Sequence, residues 1–110
     1  MRETILDLVE ESKLFNSKIF SLPRLLILSS LENFGNDGSS YRELKAGLNM
    51  DDGMLFSNLK ILKEMRYITK EDVEFENKKI VLIILTNEGK EALVMLRSWI
   101  KKWMEVKKDE

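Results

Sequence analysis

Residues 48–67, LNMDDGMLFSNLKILKEMRY, constrain the fold more than any other stretch of this chain. Leu55, Leu59, Leu62 and Met65 recur at steps of three and four, which places them on one side of a helix. Ser57, Lys60, Ile61 and Glu64 project to the opposite side, with Met54 and Asn58 nearer the boundary. Asp51 stands where a cap is needed, and Asp52 falls in the first turn, where the helix dipole favours negative charge. A helix of this kind must lay its apolar side on a core, which leaves its other side for solvent or a partner.

The flanking segments supply that core. Upstream, Ser40 and Glu43 form the capping box SYRE of a short helix, Tyr41 to about Leu48, with Leu44 and Leu48 inward and Asn49-Met50 as the turn. Before it, Ser21-Leu22-Pro23 opens a helix that runs to about Asn33. Gly35-Asn36-Asp37-Gly38 stops that helix, and this cluster is a turn rather than a phosphate cradle, because no GxGxxG or Walker pattern is present. Residues 4–14 carry a helical stripe of Ile5, Leu6, Leu8 and Val9, interrupted at Asn16-Ser17. Downstream, residues 67–75 suit a strand with Ile68, Val73 and Phe75 apolar, and Glu76-Asn77-Lys78-Lys79 is the expected hairpin loop. The run IVLIIL, residues 80–85, is a second strand that wants cover on both faces.

Thr86 caps a final helix that extends to about Lys107 and is roughly 30 Å long at ~1.5 Å per residue. It carries two adjacent apolar stripes, Leu93-Leu96-Ile100-Trp103 and Ala92-Met95-Trp99-Val106. One stripe is enough to dock a helix on its own domain, so the second points to a partner chain. Trp99 and Trp103 read as interface anchors. Packing within the chain and the lining of a small-molecule pocket are the alternatives.

Helix, turn, capped helix, then a two-stranded ribbon is the order of a winged helix-turn-helix, whose second helix commonly enters the DNA major groove. The expected fold is therefore α+β, mainly α: three core helices, a β-hairpin wing and an additional helix at each end. One domain spans residues 1–110, with core and wing at 19–85 and flanking, dimerising helices at 4–14 and 86–108.

Composition narrows the chemistry. The 110 residues include no cysteine and no histidine, which removes disulfides, thiolate or imidazole metal sites, and Ser-His-Asp or Cys-His catalysis. The carboxylates Asp51, Asp52, Glu71, Asp72, Glu74 and Glu76 read as capping and surface groups rather than a metal cluster. No apolar run of eighteen residues exists, and the N-terminus MRETILDLVEE is acidic and amphipathic, unlike a signal peptide. The expectation is a cytoplasmic protein with no membrane partner. Net charge is −1, but it is unevenly spread: residues 42–70 carry +2 and residues 71–79 carry −2. The reading helix is mildly basic and the base of the wing is acidic, a modest footprint for a nucleic-acid binder.

The stretch MLFSNLKILKEMRYI, residues 54–68, resembles the reading helix of ArsR- and MarR-like winged-helix transcriptional regulators, small archaeal members especially. PRLLIL (23–28), YRELKAGL (41–48) and LTNEGKEAL (85–93) fit the same pattern in order and spacing, over roughly residues 19–93. The resemblance implies sequence-specific binding of double-stranded DNA by a homodimeric transcriptional regulator, with no cofactor and no enzymatic activity. Several departures stand out. Phe56 occupies a position where such families often carry serine, and Met54 one where they often carry threonine or asparagine. Arg66 replaces the glycine that usually ends this helix in a left-handed conformation. The wing has fewer arginines than usual, and the missing Cys and His argue against metal sensing.

On this reading Ser57, Asn58 and Lys60 contact bases or nearby phosphates, and Met54 and Phe56 press on thymine methyls or, equally, pack under the first turn or form a protein-binding patch. Arg42, Lys45, Lys78 and Lys79 suit phosphate contacts, with Asn77 beside them in the wing. Leu93, Leu96, Trp99, Ile100 and Trp103 form the expected dimer interface. The main alternative is a winged-helix protein-interaction module of the transcription machinery that does not read DNA. The acidic wing and the apolar Met54 and Phe56 motivate it. A third possibility is a regulator that takes an apolar effector between its terminal helices, although no residue names that effector.

Overall fold

The computed structural model describes residues 4–106. In chain order the elements are α1 (Ile5–Ser12), a 3-10 turn (Ser17–Ile19), α2 (Leu22–Phe34), a second 3-10 turn (Gly35–Asp37), β1 (Ser39–Ser40), α3 (Tyr41–Leu48), α4 (Asp52–Glu64), β2 (Ile68–Phe75), β3 (Lys78–Leu85) and α5 (Asn87–Glu105).

Each α-helix begins at a side-chain cap, because the first N–H groups of a helix have no partner within it. Thr4, Ser21, Ser40, Asp51 and Thr86 accept from the backbone N–H of Asp7, Arg24, Glu43, Met54 and Gly89 respectively. The expected capping box at Ser40 and Glu43 is present, and Thr4 with Asp7 forms another. Helix ends use left-handed residues: Asn49 closes α3 at φ 52°, and Arg66 follows α4 at φ 65°. The apolar stripe of α4 is inward as its spacing requires, with Leu55, Leu59 and Leu62 buried.

The three strands form an antiparallel sheet in the order β1-β3-β2. The wing turn is shorter than the sequence indicates. Glu76 and Asn77 alone make it, at φ 50° and 64°, a two-residue turn with the handedness that matches strand twist. Lys78 and Lys79 are therefore not loop residues: they open β3, opposite Phe75 and Glu74. The two residues of β1 pair with Ile83 and Leu82, so β3 is the central strand. A two-residue strand has no periodicity, and the sequence gives no sign of it. Cover of β3 is uneven: Ile83 and Leu85 are buried, Ile80, Leu82 and Ile84 half-buried, and Val81 exposed.

The core joins Ile27, Leu28 and Leu31 of α2, Leu44 of α3, the α4 stripe, Ile68, Ile83 and Leu85 of the sheet, and Ala92, Leu93 and Leu96 of α5. Leu93 and Leu96, expected at a dimer interface, are each 2 % exposed and have no area left to offer a second chain. They are the stripe by which α5 docks on its own core.

The second stripe of α5 meets α1. Trp99 Nε1 donates to the Leu8 carbonyl at 2.8 Å, and Lys102 pairs with Glu11 at 3.0 Å. Phe15 and Phe20 stand edge-on to the Trp99 ring, with centroids 6.1 and 6.0 Å away. Arg97 grips Glu32 of α2 with two bonds, 2.9 and 2.7 Å. None of the described helices is long and apolar enough to cross a membrane.

Candidate nucleic-acid interface

The outward side of α4 carries Met54, Phe56, Ser57 and Lys60, all exposed. Met54 is 45 % and Phe56 63 % exposed, a large apolar area for a helix with so many charged neighbours. Lys70, on β2, places its ammonium 6.0 Å from the centre of the Phe56 ring. A cation over an aromatic face at an exposed site is worth about 0.5–1 kcal/mol, so the two side chains restrain each other. Ser57 Oγ donates back to the Met54 carbonyl at 3.3 Å and remains on the surface.

Asn58 does not belong to this surface. It is only 9 % exposed; its Oδ1 accepts from Arg24 Nη1 and its Nδ2 donates to the Met54 carbonyl, each at 2.8 Å. A side chain at the boundary of an amphipathic helix can turn either way, and here a guanidinium on α2 draws it inward. The structure thus places Asn58 against α2 rather than on the outward flank where a reader of adenine is expected.

A second group of predicted residues converges beside the wing. Arg42, at the start of α3, and Lys78 and Lys79, at the start of β3, line one open cleft of ≈ 490 Å³ with Ser40, Tyr41, Ile80 and Val81. Three cations on two elements far apart in sequence thus share one concave surface. Asn77 is exposed at the wing tip, in the turn. Glu74 lies directly across the ladder from Lys79, and Asp72 is exposed two residues away, so the acidic limb of the wing tempers this positive charge.

Lys45 is already engaged. Its ammonium lies 3.0 Å from Asp52 Oδ1, which also accepts from the Tyr41 hydroxyl at 3.0 Å. The bonds from Lys45, and then Tyr41, hold the Asp52 carboxyl below its ordinary range, while the same carboxylate raises the Lys45 ammonium. Partial burial and Asp52 together push the Tyr41 hydroxyl up. The Asp52 carboxylate thus offsets the Lys45 charge that would otherwise face a phosphate.

Of the expected interface anchors on α5, Trp99 and Ile100 are half-buried within the chain, and Trp103 is 53 % exposed. Among the described residues no group of three or more acidic side chains could hold a metal ion. Arg24 and Lys70 were not legible as site residues, because their partners Asn58 and Phe56 are distant in sequence and no local pattern links them.

Residues 24–104 match the family model described as winged helix DNA-binding domain, and the chain belongs to that family. That family is one of DNA-binding domains, not of enzymes. Two solved structures share the fold. The protein smu.1704 of Streptococcus mutans superposes with a TM-score of 0.60 at 18% identity, covering 76% of this chain and 82% of that one. A PadR-like transcription factor from Bacteroides fragilis superposes with a TM-score of 0.61 at 19% identity, covering 76% and 86%. No curated protein matches the sequence.

Proposed function

We propose that this chain is a transcriptional regulator that binds double-stranded DNA sequence-specifically as a homodimer in the cytoplasm. The observation that carries the proposal is the exposed flank of α4, Met54, Phe56, Ser57 and Lys60, on a domain whose wing lysines Lys78 and Lys79 share a cleft with Arg42 of α3. A helix in the major groove needs a backbone clamp at its side, and these cations can supply one. Ser57 and Lys60 hydrogen-bond base edges or nearby phosphates, and Met54 and Phe56 pack on thymine methyls. Asn77 and the two wing lysines follow the adjacent backbone, and Lys45 joins once Asp52 releases it.

The likeness of residues 54–68 to ArsR- and MarR-like reading helices supports use as a regulator, and the fold shared with a PadR-like transcription factor points the same way. Within the single domain, residues 19–85 serve as the DNA-binding core and the flanking helices as the dimer contact. Ile5, Leu6 and Val9 of α1 and Trp103 and Met104 of α5 are exposed apolar side chains, and a second copy is the partner that covers them. Pairing there sets the two α4 helices for successive major grooves, about 34 Å apart.

Selection from a pool of randomised duplexes tests the specificity. Enrichment of a two-fold symmetric sequence with half-sites about one helical turn apart is expected; no enrichment over a control protein would overturn it. One observation favours a second reading, a protein-interaction module: Met54 and Phe56 expose apolar area beside an acidic wing limb. Under that reading Phe56→Ala abolishes capture of a protein partner, and DNA does not bind.

A further inference from the structure

The guanidinium of Arg24 joins three elements. Its own backbone N–H is taken by Ser21, the cap of α2. Its Nε donates to the Lys18 carbonyl in the first 3-10 turn, and its Nη1 donates to Asn58 Oδ1 on α4 at 2.8 Å. Asn58 passes the link on to the Met54 carbonyl, one turn earlier in the same helix. Both ends of the Asn58 carboxamide are thereby occupied, in a position with little access to water.

We infer that Arg24 is the positioning residue of the reading helix: through Asn58 it fixes the rotation and depth at which α4 presents Met54, Phe56, Ser57 and Lys60. The inference rests on the DNA-binding reading of α4. Along its length α4 meets the core through Leu55, Leu59 and Leu62, and apolar contact is non-directional. The other polar tie, from Tyr41 and Lys45 to Asp52, holds only the exposed first residue, so the stripe beyond it can roll or slide at small cost. A charge-assisted hydrogen bond is short and directional, so one such bond at the boundary of the stripe selects a single rotation. The bond sits where rotation matters, because Asn58, which accepts it, also donates to the Met54 carbonyl at the start of the exposed flank. The other end of the link is the turn that leads into Phe20, whose ring stands on Trp99. α4 is thus referenced to the α1–α5 end of the molecule as well as to α2.

Four variants of the full chain test this: Arg24→Gln, Arg24→Lys, Asn58→Ala and the Arg24→Gln/Asn58→Ala pair. The readouts are fluorescence anisotropy with a mixed-sequence duplex, its salt dependence, thermal melting, and amide hydrogen exchange across α4 and α5. Arg24→Gln and Asn58→Ala are each expected to weaken binding about tenfold. The pair should lose no more than about twofold beyond the worse single change, since both remove the same link. The salt slope of Asn58→Ala should equal that of the wild type, and exchange should quicken in residues 54–62 but not in α5. Arg24→Lys should behave like Arg24→Gln, because one ammonium cannot reproduce a guanidinium fork across two acceptors.

Three results would overturn the inference. Full affinity in Arg24→Lys and Asn58→Ala, with a shallower salt slope in Arg24→Gln, would make Arg24 a phosphate contact. A lower melting temperature with unchanged affinity well below it would make the link structural only. Unchanged exchange in α4 would show that the helix needs no such restraint. Should the wild type bind no duplex at low salt, the DNA reading fails, and the exchange comparison alone decides the positioning role. Should Asn58→Ala not fold, the two Arg24 variants, at a half-exposed site, carry the same comparison.

Discussion

Gly89 sits where the start of α5 packs on the link between α4 and β2 and on the end of β3. A Cβ there would collide with the Tyr67 carbonyl oxygen and stand 2.6 Å from Leu85 Cδ1. Tyr67 cannot retreat, because its carbonyl also accepts from the Thr86 N–H at 3.0 Å. Gly89→Ala is therefore expected to cost about 2–3 kcal/mol, as overpacking against fixed backbone does, and to lower the melting temperature by about 10 °C. An unchanged melt would mean that this crossing is looser than described. Arg66 is the opposite case, an exposed residue held at φ 65° where its side chain gains nothing from the conformation. Arg66→Gly should relieve the left-handed strain and, after the added chain entropy, stabilise by about 0.5–1 kcal/mol in denaturant unfolding. The position of Arg66 was legible, since a glycine is usual there. The inward turn of Asn58 was not: periodicity placed it at the edge of a stripe, and only the guanidinium on α2 decides which way it faces.

Caps and stripes made most elements legible. Local rules govern them, and Ser40 with Glu43, Asp51 and Thr86 act as their spacing indicates. The wing turn is shorter than the sequence indicates because Lys78 and Lys79 are as polar as a loop, while strand pairing opposite Phe75 and Glu74 claims them. That placement sharpens a prediction for the wing. Lys78→Ala with Lys79→Ala should weaken binding to any duplex and reduce the salt slope by roughly 1–2, since each phosphate contact adds about one. An unchanged slope in anisotropy titrations would remove the wing from the interface. The tie between α2 and α5 gives a pH signature. Hydrogen bonding from Arg97 holds Glu32 below its ordinary value of 4.5. A carboxyl with a depressed folded pKa stabilises above its unfolded value, and that share is lost as pH falls below 4.5 through the folded value. The pair is partly exposed, so the share is under about 1 kcal/mol. Glu32→Gln should flatten the acid limb of a stability–pH curve measured below pH 5, and an equally steep limb would contradict the tie.

The whole molecule measures 61 × 25 × 21 Å, drawn out along one axis. Its terminal helices bury one side of α5 within the chain and leave apolar side chains of α1 and α5 exposed. Leu93 and Leu96 could be identified from sequence as apolar, yet not as belonging to the core rather than to a partner, because a stripe does not say what covers it. Trp103 keeps the area that a second copy would bury. Trp103→Glu should turn a dimer into a monomer in size-exclusion chromatography with light scattering, with helicity retained; a monomeric wild type would overturn the interface. The central claim concerns DNA, and a fluorescence-anisotropy titration of the wild type with mixed duplex, at low salt and again at about 200 mM, tests it most directly. Binding that weakens steeply as salt rises is the predicted result, since phosphate contacts release counterions. No binding at micromolar protein in low salt would contradict it.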